Sequence, residues 1–250
     1  MSSEKSMAIV LRVVDFSETS VITTLFTEGF GKLSALAKGA RRPKSPFEAA
    51  LDLLAVCRIV FIHKSTDALD LLTEAKLERR FRSSTRDLSR LYAGYYAAEL
   101  LTDLTDPNDP HPALFGATNQ NLYDLDQGEP VPATVLRFEL SLLRELGLLP
   151  SFDVCVGCGE PVPATGRVSF GMLAGGVLCP QCRVGQRAVV SVSGETMNVL
   201  TEFAKPQSEE WRNWSKERVA GGEIRGLMNN LIAHVLGRRP RMRKFLGLLG

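Results

Sequence analysis

Apolar and polar positions along the first 80 residues form five short strand-like runs, of which the first two are rich in β-branched residues and the third alternates polar with apolar positions. The runs cover residues 8–14, 20–27, 32–38, 53–63 and 69–76. Five short strands in this length suit a small closed barrel, and the OB-fold is the commonest five-stranded case. An SH3-like barrel, or a sheet packed on the rest of the chain, is the alternative.

The hydrophobic period changes to a helical one after residue 80. A first helix, capped by Ser84 or Thr85, is predicted to run to about Leu104, where the segment DPNDPHP stops it. Further helices are predicted over 112–126, 132–146, 194–205 and 223–237. The apolar stripes of these helices are most simply core positions.

Composition makes the chain an ordinary globular protein, with 44% apolar and 23% charged residues and a net charge of +2. Residues 81–150 are acidic, with 5 basic against 10 acidic side chains, and they separate two mildly basic ends. No apolar run reaches the roughly 18 residues that a membrane span needs, and the beginning of the chain does not resemble a signal peptide. We therefore expect a cytoplasmic location.

Four of the five cysteines form two C-x-x-C pairs, Cys155 with Cys158 and Cys179 with Cys182, separated by 20 residues. Two such pairs complete a closed tetrahedral zinc site, as in a zinc ribbon, with a hairpin predicted between them. Four thiolates leave no open position for water, so the expected zinc ion is structural. Redox chemistry of either pair is the alternative. Cys57 lies in an apolar run and is expected in the core.

Motifs of catalysis are missing from the sequence. It has no phosphate-binding loop of the G-x-x-x-x-G-K-[ST] type, no dinucleotide-binding glycine pattern and no H-x-E motif of a zinc deaminase. The three histidines are scattered, and no acid/base pair of carboxylates is recognisable. We predict no catalytic residues and no enzyme.

Basic residues concentrate in a stretch of 13 residues without any acid, which favours contact with phosphates. They are Lys32, Lys38, Arg41, Arg42 and Lys44, and we expect Arg12 to extend the same face. A solvated loop is the alternative. A second basic run, 238–244, is interpreted as a solvated tail, with contact to DNA as the alternative. The aromatic residues Phe16, Phe26 and Phe30 are interpreted as core residues, with stacking on bases as the alternative.

Four segments resemble the RecO family of bacterial recombination mediators. They are VLRVVDFSETSVITTLFTEGFGKLSALAKGARRPKS (10–45), HPALF (111–115), FELSLLRELGLLPSFDVCVGCG (138–159) and GGVLCPQC (175–182). The first and the cysteine module are the specific parts, and about 60 residues at the end match weakly. The resemblance implies an OB domain, a helical domain and an inserted zinc module.

The resemblance also implies a function: binding single- and double-stranded DNA, annealing complementary strands and, with RecR, loading RecA onto DNA coated with single-strand-binding protein (SSB). Such a protein would associate with the nucleoid. A zinc-containing nucleic-acid enzyme such as a nuclease, or an interaction adaptor that does not bind DNA, is the alternative. No membrane or small-molecule substrate is expected.

The predicted fold is thus α+β and multidomain: an OB-fold barrel at 1–80, a helical domain at 81–150 and 183–250, and a four-cysteine zinc ribbon at 151–182. For the acidic tail of SSB, we predict a site at Arg137 and Arg144, which lie seven residues apart on one helix face. The stripe of Phe138, Leu142 and Leu146 would receive an aromatic residue of the tail.

Overall fold

The computed structural model describes residues 3–47, 50–64, 69–82, 87–206, 208, 210–213 and 221–245. The chain divides into two compact units. The first extends to Gly128 and includes Arg241–Phe245, and the second holds Glu129–Pro240. The domain limits given from the sequence stay a prediction.

A closed barrel of five strands, in the order β1-β2-β3-β5-β4, forms the centre of the first unit. The strands are β1 (Ser3–Asp15), β2 (Val21–Thr27), β3 (Gly31–Ala37), β4 (Val56–Ile62) and β5 (Asp70–Arg79). Neighbours pair antiparallel except β3 and β5, which run parallel. The five predicted strands and the OB-fold are confirmed.

Alternation along the strands builds the barrel interior. In β3, Leu33, Ala35 and Ala37 are buried, whereas Ser34 is exposed on the outer face. The predicted core position of Cys57 is confirmed, and burial raises the pKa of its thiol to about 12. A thiol with so high a pKa stays protonated and packs as a small apolar group.

Two helices complete the first unit: α1 (Leu88–Leu104) and α2 (Pro112–Gln127). Asp87 caps α1 by accepting a hydrogen bond of 2.9 Å from the Ser89 amide. Hydrogen bonds from the Ser89 hydroxyl and amide, opposed in part by burial, lower the pKa of Asp87. The predicted caps, Ser84 and Thr85, lie outside the described residues.

The second unit contains α3 (Val131–Glu145), a three-stranded antiparallel sheet in the order β7-β6-β8, and two more helices. Its other elements are β6 (Arg167–Gly171), β7 (Gly176–Leu178), β8 (Val189–Ser193), α4 (Gly194–Ala204) and α5 (Gly222–Leu236). The hairpin and helices were predicted, but β8 was not. Within the described ranges, no helix combines the length and apolarity needed to cross a membrane.

Candidate metal centre and nucleic-acid interface

The four paired cysteines meet at one point of the second unit. Their sulfur atoms all lie within 4.8 Å of one another, and the Sγ atoms of Cys158 and Cys179 are 3.9 Å apart. A tetrahedral ion with metal–sulfur bonds of about 2.3 Å would place its ligands about 3.8 Å apart. The sulfurs therefore stand close to the positions that such an ion requires.

Backbone geometry holds this sulfur cluster together. The Cys179 amide donates to the Cys155 sulfur at 3.3 Å, and the Cys182 amide donates to the Cys179 sulfur at 3.4 Å. A Cβ atom on Gly157 would lie 2.9 Å from the Cβ of Cys182, so only glycine lets the two pairs approach this closely. The approach of the two pairs thus depends on Gly157, which lies between the cysteines of the first pair.

The thiols have widely different pKa values. The hydrogen bond from the Cys179 amide is the largest influence on Cys155 and lowers its pKa to about 6. Hydrogen bonding with the other sulfurs, Cys179 foremost, raises the pKa of Cys182 to about 12. Four sulfurs at this distance cannot all carry negative charge without a cation between them. The set of donors fits a soft, four-coordinate metal ion.

At one end of the barrel, the β1–β2 loop and the segment after β3 are hydrogen-bonded to each other. The Arg41 amide donates to the Thr19 carbonyl at 3.0 Å, and the Gly39 amide donates to the Ser20 hydroxyl at 3.2 Å. The Arg41 guanidinium also pairs with the Asp15 carboxylate at the end of β1. We call residues 16–20 and 38–45 together the barrel-end loops.

The predicted DNA-binding cations divide into two groups. On the barrel-end loops, the structure exposes Lys38, Arg41, Arg42 and Lys44, and it exposes Arg12 within β1, opposite Thr24 of β2. Lys32 is instead half-buried, and its ammonium donates hydrogen bonds to two carbonyls near the end of α1, to that of Thr102 at 2.6 Å and to that of Thr105. Burial lowers its pKa despite Asp106 and Asp103 nearby. Lys32 therefore anchors α1.

Phe16 projects from the barrel-end loops with 59% of its surface exposed, so its predicted burial is wrong. It directly follows the last residue of β1, and the last four residues of that strand are already exposed. Phe26 is fully buried and Phe30 packs edge-on against Phe61, as expected for core residues. The exposed ring thus lies beside exposed cations.

The basic run at 238–244 is not simply a solvated tail. The carboxylate of Glu99 in α1 accepts hydrogen bonds from the amides of Arg241 and Met242 at 2.7 and 2.8 Å. Residues Met242–Phe245 form a 3-10 turn, and the ring of Phe245 lies 5.2 Å from that of Tyr92. The end of the run is anchored on the first unit.

Arg137 and Arg144 meet at the end of α4. Arg137 donates to the carbonyls of Lys205 and Pro206, at 3.3 and 2.9 Å, and Arg144 donates to that of Ala204 at 2.9 Å. Cations are favoured at this end of a helix dipole. The structure thus brings both predicted arginines to one place.

Two of the three residues of the apolar stripe beside these arginines are buried, and Leu146 is partly buried. Phe138 is 3% exposed and Leu142 is fully buried, so neither offers surface to a partner. The expectation that an aromatic residue of a peptide packs on this stripe is wrong, because the stripe is the core face of α3. The two arginines themselves stay a proposed partner site.

Sequence reasoning missed a buried ion pair in the second unit. Arg225 of α5 donates to both carboxylate oxygens of Glu139 in α3, one of them at 2.9 Å, and Glu139 is fully buried. The available signal was an acid within the apolar stripe of α3. Its partner is 86 residues away, and no local pattern identifies it.

Comparison with known proteins gives one consistent result. The family described as "Recombination protein O N terminal" matches residues 1–81, and "Recombination protein O C terminal" matches residues 85–244. A DNA repair protein RecO of Rhodopirellula baltica is 42% identical, covering 96% of this chain and 97% of its own. Namesakes of Myxococcus xanthus and Anaeromyxobacter dehalogenans are 36% and 34% identical, each over at least 96% of both chains. The chain belongs to the RecO family.

Proposed function

We propose that this protein is a recombination mediator of DNA repair. It binds single- and double-stranded DNA, anneals complementary strands and, together with RecR, helps to load RecA onto DNA that SSB covers. It performs no chemistry on the nucleic acid. RecO family membership supports the role in repair, and the barrel-end loops support the contact with DNA.

The observation that carries the proposal is the surface of the barrel-end loops. Exposed cations there, Lys38, Arg42 and Lys44, accompany the exposed ring of Phe16, and Arg12 is exposed within β1. Guanidinium and ammonium groups bind phosphates and release counterions, whereas an aromatic ring stacks on any base. This combination suits single-stranded DNA of any sequence. Lys32 is left out, because its ammonium is engaged with α1.

Annealing follows from electrostatics alone. Two strands repel each other through their phosphates, and a protein that offers cations to both lowers this repulsion and raises the local strand concentration. Base pairing then supplies the specificity and the driving force. No nucleotide hydrolysis is needed.

The sulfur cluster holds one structural Zn²⁺ ion in this proposal, bound by Cys155, Cys158, Cys179 and Cys182. Zinc is the common occupant of four-thiolate sites with this spacing, and four thiolates leave no open position for catalysis. The ion's role is to fold the segment between α3 and α4. DNA affinity depends on it only indirectly.

Partner binding completes the proposal. RecR and SSB are the expected protein partners, and Arg137 with Arg144 would pair with carboxylates of the acidic SSB tail. Both guanidiniums also donate hydrogen bonds to the carbonyl groups at the end of α4. Because the proposed site pairs Arg137 with a tail carboxylate, a labelled tail peptide should bind Arg137→Ala more weakly than wild type, whereas DNA affinity stays the same.

The test of DNA binding is a salt titration with a labelled single strand. Lys38→Glu combined with Arg42→Glu should weaken binding and flatten the plot of log affinity against log salt by roughly 1.4 units, about 0.7 for each lost contact. The control is Lys5→Glu combined with Lys64→Glu. These two exposed lysines lie where β1 begins and after β4 ends, away from the barrel-end loops.

Three outcomes separate this proposal from its alternatives. A loss confined to the Lys38 and Arg42 variant supports the proposal. Equal affinity of both variants and wild type at low salt contradicts it and favours an adaptor. Cleavage of the labelled strand that depends on Mg²⁺ would indicate a nuclease.

A further inference from the structure

A second basic surface lies on the three-stranded sheet of the second unit. Ser169 of β6 and Ser191 of β8 are paired across the sheet. Arg183 donates to the Ser169 hydroxyl at 3.4 Å, and Arg167 donates to the Ser191 hydroxyl at 3.1 Å. Two guanidiniums thus reach a pair of neighbouring hydroxyl groups. We call this surface, together with residues 183–188, the ribbon face.

Residues 183–188 are all exposed and connect the last cysteine pair to β8. A backbone hydrogen bond holds the end of this segment next to β8, where the Met172 amide donates to the Ala188 carbonyl at 3.0 Å. Arg187 therefore lies where the sheet begins, next to the pairing of Gly171 with Val189. The cations of this segment are held by the sheet and the cysteine cluster.

The charge on the ribbon face is poorly balanced. Arg167 is paired with Glu223 at 2.8 Å. Within the part of the chain that the structure describes, Arg183 and Arg187 have no carboxylate within ion-pairing distance. Guanidinium forks and hydroxyl donors are the groups that bind phosphodiester oxygens in nucleic-acid complexes. This chemistry fits a phosphate backbone.

We propose that the ribbon face binds the phosphate backbone of a second DNA strand. The inference rests on the proposed annealing function, which requires cations for two strands, whereas the barrel-end loops offer a surface for one. Arg183 and Arg187 bind the phosphates, and Ser169 and Ser191 supply hydroxyl donors. Residues 183–188, between the second cysteine pair and β8, then bind DNA in addition to connecting the metal site to the sheet.

The test uses full-length, metal-loaded protein and two labelled, non-complementary single strands whose energy transfer reports bridging by one protein. Arg183→Glu combined with Arg187→Glu should lower the bridging signal and slow annealing by about tenfold, the low end of electrostatic rate effects. Affinity for a first, short strand should stay within about twofold of wild type, because that strand is held by the barrel-end loops.

The matched control keeps the charge at the same positions. Arg183→Lys combined with Arg187→Lys should retain most of the bridging, and its metal content should equal that of wild type. If the glutamate variant loses metal, Arg183→Gln combined with Arg187→Gln replaces it in the comparison, with a smaller loss of bridging expected.

Two results would overturn the inference. Wild-type bridging and annealing in the glutamate and glutamine variants would show that the ribbon face does not bind a strand. Loss of binding to an acidic peptide, with bridging intact, would assign the surface to a protein partner. Failure of the proposed function looks different, because the Lys38 and Arg42 variant would then keep its affinity for the first strand.

Discussion

Different interactions stabilise the interior of each of the two units. The first encloses an apolar interior within a closed sheet, so that every strand of the barrel has two neighbours. The second has a three-stranded sheet with strands of 5, 3 and 5 residues, a cluster of four sulfurs and an ion pair buried between α3 and α5. A sheet this small buries too little apolar surface to fold alone.

The comparison teaches that the units should fail under different conditions. A barrel stabilised mainly by apolar burial is insensitive to chelators. With the proposed metal ion bound, we expect the ribbon to depend on metal and on pH, because its thiolate ligands and its carboxylates must be ionised. Both dependences can be tested one unit at a time.

Metal removal should have the largest effect. Structural zinc contributes about 10–16 kcal/mol in isolated zinc fingers, so Cys155→Ser or a chelator should unfold the segment from Cys155 to β8. Hydrogen exchange should show lost protection in β6, β7 and β8, and unchanged protection in β1–β5. The matched control is Cys57→Ala, which should destabilise the barrel and leave the metal content unchanged. Loss of protection in β1–β5 together with β6–β8 after metal removal would contradict the claim that the two units are stabilised differently.

Removing one partner of the buried ion pair should cause the second-largest loss of stability. Glu139→Gln leaves the Arg225 guanidinium without its countercharge in a buried site, which costs about 3–5 kcal/mol. Urea unfolding of the second unit measures the loss. The double variant Glu139→Gln with Arg225→Met should recover most of it, because no buried charge is left unpaired. Equal losses in the single and double variants would refute the role of the pair.

Glu223 should make the second unit sensitive to acid. Burial alone would raise its pKa, but hydrogen bonds from Ser193 and Thr196 and the charge of Arg167 outweigh burial and lower it to about 2. Stabilisation by the carboxylate is therefore complete above the unfolded pKa of about 4.3 and disappears as the pH falls from there towards 2. Because the side chain is 33% exposed, we expect about 2 kcal/mol.

The measurement is the difference in the free energy of unfolding between wild type and Glu223→Gln. At pH 6 the variant should be the less stable protein, and the difference should shrink as the pH falls below about 4.3. Comparing the two proteins at each pH removes the acid sensitivity of the metal ligands, which both share. A difference that does not change with pH would contradict the assignment.

Replacing Lys32 should cause the smallest loss of stability. It also distinguishes, within the first unit, a lysine that stabilises α1 from the cations that are proposed to bind DNA. Lys32→Met removes hydrogen bonds to the end of α1 and should cost about 1 kcal/mol of stability. It should leave DNA affinity and its salt dependence unchanged, unlike Arg42→Glu. A flatter salt dependence in Lys32→Met would return this residue to the DNA surface.

Local patterns explain why the barrel and the metal site could be predicted from the sequence. Short runs that are rich in β-branched residues or alternate polar with apolar positions mark the five strands, and the two C-x-x-C pairs mark the sulfur cluster, because each signal lies within a few residues of the chain. β8, with the sequence VVSVS, carries three β-branched residues and could have been predicted in the same way, but the sequence analysis missed it. The long-range roles of Lys32 and Arg225 depend on partners 70 and 86 residues away. No local pattern contains those contacts.

The central claim is that cations on this protein bring DNA strands together without nucleotide hydrolysis. Its most direct test is the rate at which two complementary labelled oligonucleotides anneal, measured by fluorescence at low salt with neither nucleotide nor Mg²⁺. We predict that the wild-type protein accelerates annealing, and that the acceleration falls as salt rises and in the variant Lys38→Glu with Arg42→Glu. A rate equal to that without protein, or an acceleration that requires nucleotide, would contradict the claim.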